Sequence, residues 1–311
     1  MRRQMGFGIR YRRVEYGMKA ILFDAARCIG CRSCEDACAD HNKERIRLWS
    51  KDKSGGFRKP PDGLSSDKWI HITFHPLPLP AGVSRKEFDW SDAQELADEG
   101  QYMYTRHACM HCVDPGCVSA CISGALQKNE RGSVTYDSNK CIGCRYCMVA
   151  CPFGIPKCEW HESLPCIRKC TMCDDLVSVG KKPACVEACP GNNDGPALLF
   201  NERDSIILEA KKRIENSGGL YNPAVFGEKE VGGTCVLYIS RLTSGEMGFI
   251  SGMSERSIPD YSKFSLSTVP YLAGGLGLFL GGLYWFFKRR DEVQKAERLE
   301  KGNPGRMKDG Q

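Results

Sequence analysis

The sequence predicts an α+β fold: two cysteine-rich modules related by duplication, elaborated by insertions and followed by one C-terminal transmembrane helix. Three observations predict it. Nineteen cysteines in 311 residues exceed ordinary usage for so large a chain, and most fall into four groups of four. The chain also repeats itself, FDAARCIGCRSCEDAC at 23–38 against YDSNKCIGCRYCMVAC at 136–151, with Asp24 and Asp137 each four residues before the first Cys. Finally, the 24 residues 264–287 carry no charge.

Composition removes several classes. Hydrophobic residues at 41% and charged residues at 26% describe a globular body long enough to bury a core. Disulfide-stapled scaffolds are short and secreted, whereas this chain opens MRRQMGFGIRYRRVEYGMK, without an apolar signal core. Arg2-Arg3 and Arg12-Arg13 do not make an export signal, because only the short apolar run 20–23 follows before Asp24 and Cys28. The net charge of +6 sits at the ends: +4 in residues 1–17 and +3 in 288–311, leaving −1 for 18–287. A body of that charge has no footprint for nucleic acid.

Residues 1–17 form a basic arm, and Met18 is an alternative start. A four-cluster domain is expected over 18–200. Its β-prone runs 20–23 and 134–136 precede the first and third cysteine groups, each followed by a loop and then a short helix across the last two cysteines of the group. Residues 39–108 read as an insertion, a surface or partner-contacting elaboration with a Gly/Pro/Lys-rich stretch at 51–63 and an alternating strand candidate at 69–74. Beyond the domain, 201–263 is a helix and partner-contacting extension, in which Asn201 would cap an amphipathic helix carrying Ile206, Ile207, Ala210 and Ile214.

The transmembrane helix is expected at 264–288 and a basic tail at 289–311. The apolar run 271–287 spans ~26 Å as a helix, and with its flanks it crosses a ~30 Å hydrocarbon core. It ends in Tyr284, Trp285, Phe286 and Phe287, an interfacial aromatic belt, followed by Lys288, Arg289 and Arg290. Positive flanks stay inside, which puts the C-terminus in the cytoplasm and the cysteine-rich body on the periplasmic side of the inner membrane. Gly274, Gly277 and Gly281 share a face that would let a second transmembrane helix approach closely.

The cysteine groups are Cys28, Cys31, Cys34, Cys38; Cys109, Cys112, Cys117, Cys121; Cys141, Cys144, Cys147, Cys151; and Cys170, Cys173, Cys185, Cys189. Their spacing suits 4Fe-4S cubes: CxxCxxC wraps three thiolates around one cube, and the fourth Cys faces the other cluster of a pair. Two groups end in Cys-Pro (Cys151-Pro152 and Cys189-Pro190), and ACVEAC at 184–189 echoes GCVSAC at 116–121. Sixteen grouped thiols therefore suit four clusters, with iron held by the same cysteines. Structural zinc, the basis of a zinc-stabilised membrane scaffold as the different-class alternative, favours separated CxxC pairs and needs no Cys-Pro. No CxxC is followed by His, which excludes covalent c-type haem. The CxxxCxxC spacing of Cys166, Cys170 and Cys173 matches radical SAM enzymes, but no strand–helix repeat follows it to build their barrel.

These motifs resemble the four-cluster ferredoxin-type iron-sulfur β subunits of membrane-bound molybdopterin oxidoreductases and hydrogenases, most of all that of respiratory formate dehydrogenase. The resemblance is carried by CMHCVDPGC at 109–117, CIGCRYCMVACPFGIPK at 141–157, KCTMCDDLVSVGKKPACVEACP at 169–190, YNP at 221–223, GGTCVLYIS at 232–240 and the single C-terminal helix. CRYCMVACPF and GEKEVGGT are also similar to the iron-sulfur subunit of periplasmic uptake hydrogenases. The resemblance implies duplicated ferredoxin-like modules and shared ligands: Cys28, Cys31, Cys34 with Cys189; Cys170, Cys173, Cys185 with Cys38; Cys141, Cys144, Cys147 with Cys121; and Cys109, Cys112, Cys117 with Cys151. It further implies electron relay, with no catalytic site on this chain, between a molybdenum or tungsten pterin catalytic subunit and a membrane cytochrome b-type or similar quinone-reactive subunit. In that family the catalytic partner can carry the export signal for both.

Two departures stand out. Ile122 follows Cys121 where the family has Pro, and Cys158, Cys166 and Cys235 are additional, as packing residues, alternative ligands or a Cys158–Cys166 disulfide. His107 and His111 flank Cys109 and are candidates for hydrogen bonds to cluster sulfur.

Overall fold

A computed structural model of the chain describes residues 17–43, 63–79, 82–160 and 165–301. The basic arm and the 51–63 stretch lie almost wholly outside the described residues, as do 302–311 of the tail. In chain order the strands and α-helices are β1 Lys19–Asp24, α1 Ser33–His41, β2 His71–Pro76, α2 Ala93–Asp98, β3 Tyr102–His107, α3 Gly116–Ser119, β4 Leu126–Lys128, β5 Val134–Tyr136, α4 Tyr146–Val149, β6 Lys157–Cys158, β7 Ile167–Arg168, α5 Asp174–Ser178, α6 Ala184–Glu187, β8 Leu198–Glu202, α7 Arg203–Asn216, β9 Val236–Ile239 and α8 Ile258–Lys301. Contacts divide the chain into two units, up to Pro259 and from Asp260 onward.

The first unit mixes short helices with small sheets. Strand β1 lies at its centre, pairing antiparallel with β8 and parallel with β9. Its apolar run Ala20, Ile21, Leu22 and Phe23 is fully buried, as expected of a strand covered on both faces. The two β-prone runs of the sequence thus become β1 and β5. Helix α7 turns Ile206 and Ala210 into the core, with Ile207 and Ile214 packed against its edge.

Asn201 is not the helix cap. It lies in β8, paired with Ala20, and sheet pairing holds its backbone extended. The helix begins at Arg203, and the Asn201 side chain accepts a bond from Glu202 N at 2.9 Å. The 69–74 strand candidate is also displaced: β2 starts where pairing with β3 starts, at His71 opposite His107. Pro76, lacking an N–H, closes the strand.

Two segments contribute more to the interior than their sequence suggests. In the described part of 39–108, Trp69, Ile72, Leu96, Tyr104 and Arg106 are buried, because the β2–β3 hairpin packs against the cysteine loops. Within 201–263, β9 is buried at every position and completes the central sheet. Here the GGTCVLYIS motif becomes a core strand, while Tyr221 of YNP donates its hydroxyl to Asp24 at 2.9 Å.

The second unit is most of α8, which begins at Ile258 and runs for 44 residues, about 66 Å at 1.5 Å per residue. It continues past 288 as far as Lys301 and is, among the described residues, the one helix long and apolar enough to cross a membrane. None of its most apolar window is buried.

Asp24 ties β1 to the segment after the cysteine groups. Its buried carboxylate accepts from Arg213 Nη1 at 2.8 Å and from Tyr221 Oη, and pairs with Arg27 Nε at 3.3 Å. Asp24→Ala leaves Arg213 and Tyr221 without this partner. We expect a loss of about 3 kcal/mol, read as a lower thermal midpoint of the purified protein, whereas an unchanged midpoint would show that the pair contributes nothing.

Candidate functional site

Both CIGC loops fold the same way. Asp24 accepts from Ala26 N at 3.2 Å and Asp137 from Asn139 N at 3.0 Å. Gly30 and Gly143 follow with φ of +70° and +69°, then Arg32 and Arg145 with φ of +60° and +63°, after which α1 and α4 begin. Left-handed residues at these points reverse the chain, so that successive cysteines converge. His111 at +47° and Met172 at +59° occupy the matching place in CMHC and CTMC. At Gly30 the need is also steric, since a Cβ would lie 2.8 Å from the Tyr104 ring.

These loops gather the thiols into four neighbourhoods. Burial first, then the nearby Cys189 and Cys31, push Cys28 up to about 12. Cys189 in turn feels Cys31, and Cys34 feels Cys28. Cys38 is raised by burial and then by Cys170, Cys185 and Cys173. Cys112 is raised by burial and then by Cys109, Cys151 and Cys117. Burial followed by Cys121, Cys141 and Cys144 raises Cys147 to about 11. The fourth cysteine of each group thus sits among the thiols of another group.

Neighbourhoods also meet at single points. Cys34 lies in the field of Cys185, Cys170 in that of Cys109, and Cys117 in that of Cys147. The four therefore form a row, with the Cys28 quartet first, then Cys38, Cys109 and Cys141. Cys31 and Cys144, in the end quartets, are exposed, whereas Cys38, Cys170, Cys173 and Cys185 are all buried.

The donor chemistry fits 4Fe-4S groups. The sixteen grouped cysteines are outside any disulfide, and Cys158 and Cys166 are not joined to each other. One cavity is lined by Cys28, Cys31, Cys34 and Cys189, and another by Cys38, Cys170, Cys173 and Cys185. Among the described residues no three His, Cys, Asp or Glu side chains converge as ligands of a single ion. A zinc ion draws its thiolates around one atom at ~2.3 Å, while a cube takes one thiolate at each of four separated irons and holds them further apart. Burial opposes isolated thiolates, and iron supplies the compensating charge.

Other residues resolve individually. Buried His111 accepts from Val134 N at Nδ1, 2.9 Å, which places its proton on Nε2, an atom with no protein partner. That N–H is free for cluster sulfur. His107 instead contacts Thr73 Oγ1 at 3.0 Å through Nε2 and packs on Phe249. Cys121 also feels burial, but hydrogen bonds, led by that from Leu126 N, outweigh it and lower its pKa, while Ile122 beside it is exposed. Cys158 and Cys235 are buried packing residues, and Lys128 Nζ donates to Cys235 Sγ at 3.4 Å.

Sequence reasoning missed three groups. Glu35 accepts from Ile72 N and Arg32 Nη2, each at 2.6 Å, fastening α1 to β2. Lys169 is buried, donating to the Val134 and Cys170 carbonyls. Arg106 is fully buried. The available signal was a charge in an otherwise closed setting: Arg106 at the end of the run Tyr102, Met103, Tyr104, and Lys169 immediately before Cys170.

Comparison with known proteins agrees with this geometry. Residues 100–194 match the 4Fe-4S dicluster domain family. A protein of Nitratidesulfovibrio vulgaris is 36% identical over 284 residues, 90% of this chain and 70% of its own. The hydrogenase-2 operon protein HybA of Escherichia coli is 32% identical, covering 72% of this chain and 70% of its own. The formate dehydrogenase-O iron-sulfur subunit of E. coli is 35% identical, covering 71% and 66%. The chain belongs to this family of ferredoxin-type, electron-transfer iron-sulfur subunits, and 4Fe-4S clusters are its cofactors.

Gly30→Ala forces a side chain into left-handed backbone, costing about 1–2 kcal/mol, and against Tyr104. We expect less iron per purified chain, whereas Gly275→Ala, in open space on α8, leaves iron content unchanged. Equal iron in the two variants would show that the loop tolerates the change.

Proposed function

We propose that the chain holds four 4Fe-4S clusters and relays electrons between a molybdenum or tungsten pterin subunit that oxidises formate and a membrane cytochrome b-type, quinone-reactive subunit. The observation that carries this reading is the row of four thiol quartets with an exposed cysteine in each end quartet. The proposed ligands are Cys28, Cys31, Cys34 and Cys189; Cys38, Cys170, Cys173 and Cys185; Cys109, Cys112, Cys117 and Cys151; and Cys121, Cys141, Cys144 and Cys147. A 4Fe-4S group bound there supplies one-electron exchange without atom transfer.

The chain contributes burial and position. Four cysteines in one inner quartet are closed off from water, while the ends face outward toward donor and acceptor. Ile142, Tyr146 and Val149, all exposed, flank Cys144 in the chain and suit contact with a partner subunit. The shared Asx turns and left-handed positions of the two CIGC loops support a duplicated origin for the two modules.

Helix α8 is read as a single membrane span, with Lys288, Arg289 and Arg290 on the cytoplasmic side and the cysteine-rich unit on the periplasmic side. A Cβ at Gly277 or Gly281 would meet no atom of another segment within 4 Å among the described residues, which suits a close partner helix. Similarity to HybA supports a second reading, the same relay in a membrane-bound hydrogenase.

The complex purified without oxygen decides between donors. Wild-type protein should carry about sixteen irons per chain and show cluster EPR signals on addition of formate. Reduction by hydrogen alone moves the chain to the hydrogenase branch, and reduction by neither removes both substrates. A reporter fused after Gln311 should be active only in its cytoplasmic form, and periplasmic activity would reverse the topology.

A further inference from the structure

Arg106 is the largest fully buried side chain of the described residues. Its backbone is fixed on both sides, by pairing of β3 with Ile72 and by the Tyr238 hydroxyl, which donates to its carbonyl at 2.7 Å. Only one guanidinium nitrogen finds a partner: Nη2 donates to Cys185 Sγ at 3.6 Å. Nε and Nη1 are buried without a hydrogen-bond partner among the described residues. The titratable groups that weigh most in its field are three thiols, Cys185, Cys34 and Cys170, and the Tyr238 hydroxyl, and it acts on Cys38 as well.

A lone buried guanidinium stays charged, and it is heavily penalised unless a counter-charge meets it. Lys169 shows the contrast, with its ammonium satisfied by two carbonyls. For Arg106, whose neighbours are thiols of the first and second quartets of the row, the missing counter-charge is the pair of anionic clusters themselves. Four thiolates around a cube give about −2 when oxidised, and one electron from the donor makes that more negative by one.

We propose that Arg106 is the shared counter-ion of the two clusters held by the Cys28 and Cys38 quartets, and that its fixed positive charge raises both reduction potentials. Its unpartnered N–H groups are the donors for cluster and cysteinyl sulfur on both sides. Placed between two adjacent carriers, it shifts them in the same sense, favouring the reduced state of both. The inference rests on the four-cluster reading of the preceding subsection.

The test uses the whole complex in mild detergent, with iron analysis and potentiometric EPR titration of wild type, Arg106→Gln and Arg106→Lys. Wild-type iron and signals test the clusters themselves, so their absence would sink the four-cluster reading separately. With wild-type clusters present, Arg106→Gln should lower two of the four midpoint potentials and leave the other two in place, while Arg106→Lys stays near wild type. If Arg106→Gln assembles without two clusters but Arg106→Lys keeps all four at wild-type potentials, the counter-ion role is equally supported. Unchanged potentials in a fully loaded Arg106→Gln complex would overturn it. So would an Arg106→Lys complex that loses clusters or shifts like the Gln variant, since charge would then not be the operative property.

Discussion

Burying many thiolates close together is the constraint on which the rest of this molecule depends. Each quartet gathers groups whose charged forms repel one another and are penalised by burial, as the raised pKa of Cys34, Cys38 and Cys112 records. Such a site holds together only if iron supplies positive charge and the backbone supplies position. Position comes from left-handed residues in tight loops, and from each group's fourth cysteine being lent to a different group. On the proposed ligand sets the halves of a pair would be inseparable, since Cys38 and Cys189 would tie the first cysteine group to the last.

Regular structure is accordingly sparse and serves the loops. Helices α3, α4 and α6 are four residues long, too short to be stable alone, and they persist because their cysteines and apolar residues are fixed on one side. The longer pieces close the assembly. Strand β1 feeds the first cysteine loop, β8 receives the chain after the last, and β9 arrives from beyond both. Asp24 lies where these segments meet, so one buried carboxylate joins the loop, the helix α7 and the YNP segment.

What the sequence made legible was local. The spacing of the cysteines, the Asp before each CIGC and the charge-free C-terminal run each concern residues within a turn or two of one another, and their consequences appear in the loops and in α8. What it hid was long-range. Asn201 looks like a cap until β1 claims it for a sheet, and the hairpin of β2 and β3 looks peripheral until Tyr104 is found against Gly30. Arg106 was hidden for the same reason: a charge near the end of an apolar run is ambiguous until the thiols that surround it, 64 to 79 residues away in sequence, are seen to be its neighbours. The described part of the expected tail, 289–301, continues α8, because Lys, Arg and Glu are good helix formers and no Gly or Pro lies within it.

The row of quartets has a consequence for how charge is distributed within the first unit. Its ends differ from its middle in exposure, with Cys31 and Cys144 open and the Cys38 quartet closed. Water stabilises the extra negative charge of a reduced site at an exposed end but not in the interior. Without compensation the interior positions would be harder to reduce than the ends and would stand as barriers along the row. Buried cations lie where that penalty is greatest: Arg106 beside Cys34, Cys170 and Cys185, and Lys169 in the field of Cys117 and Cys151. On the proposed four-cluster reading, these two cations, costly in an ordinary core, would take the place of solvent along the row.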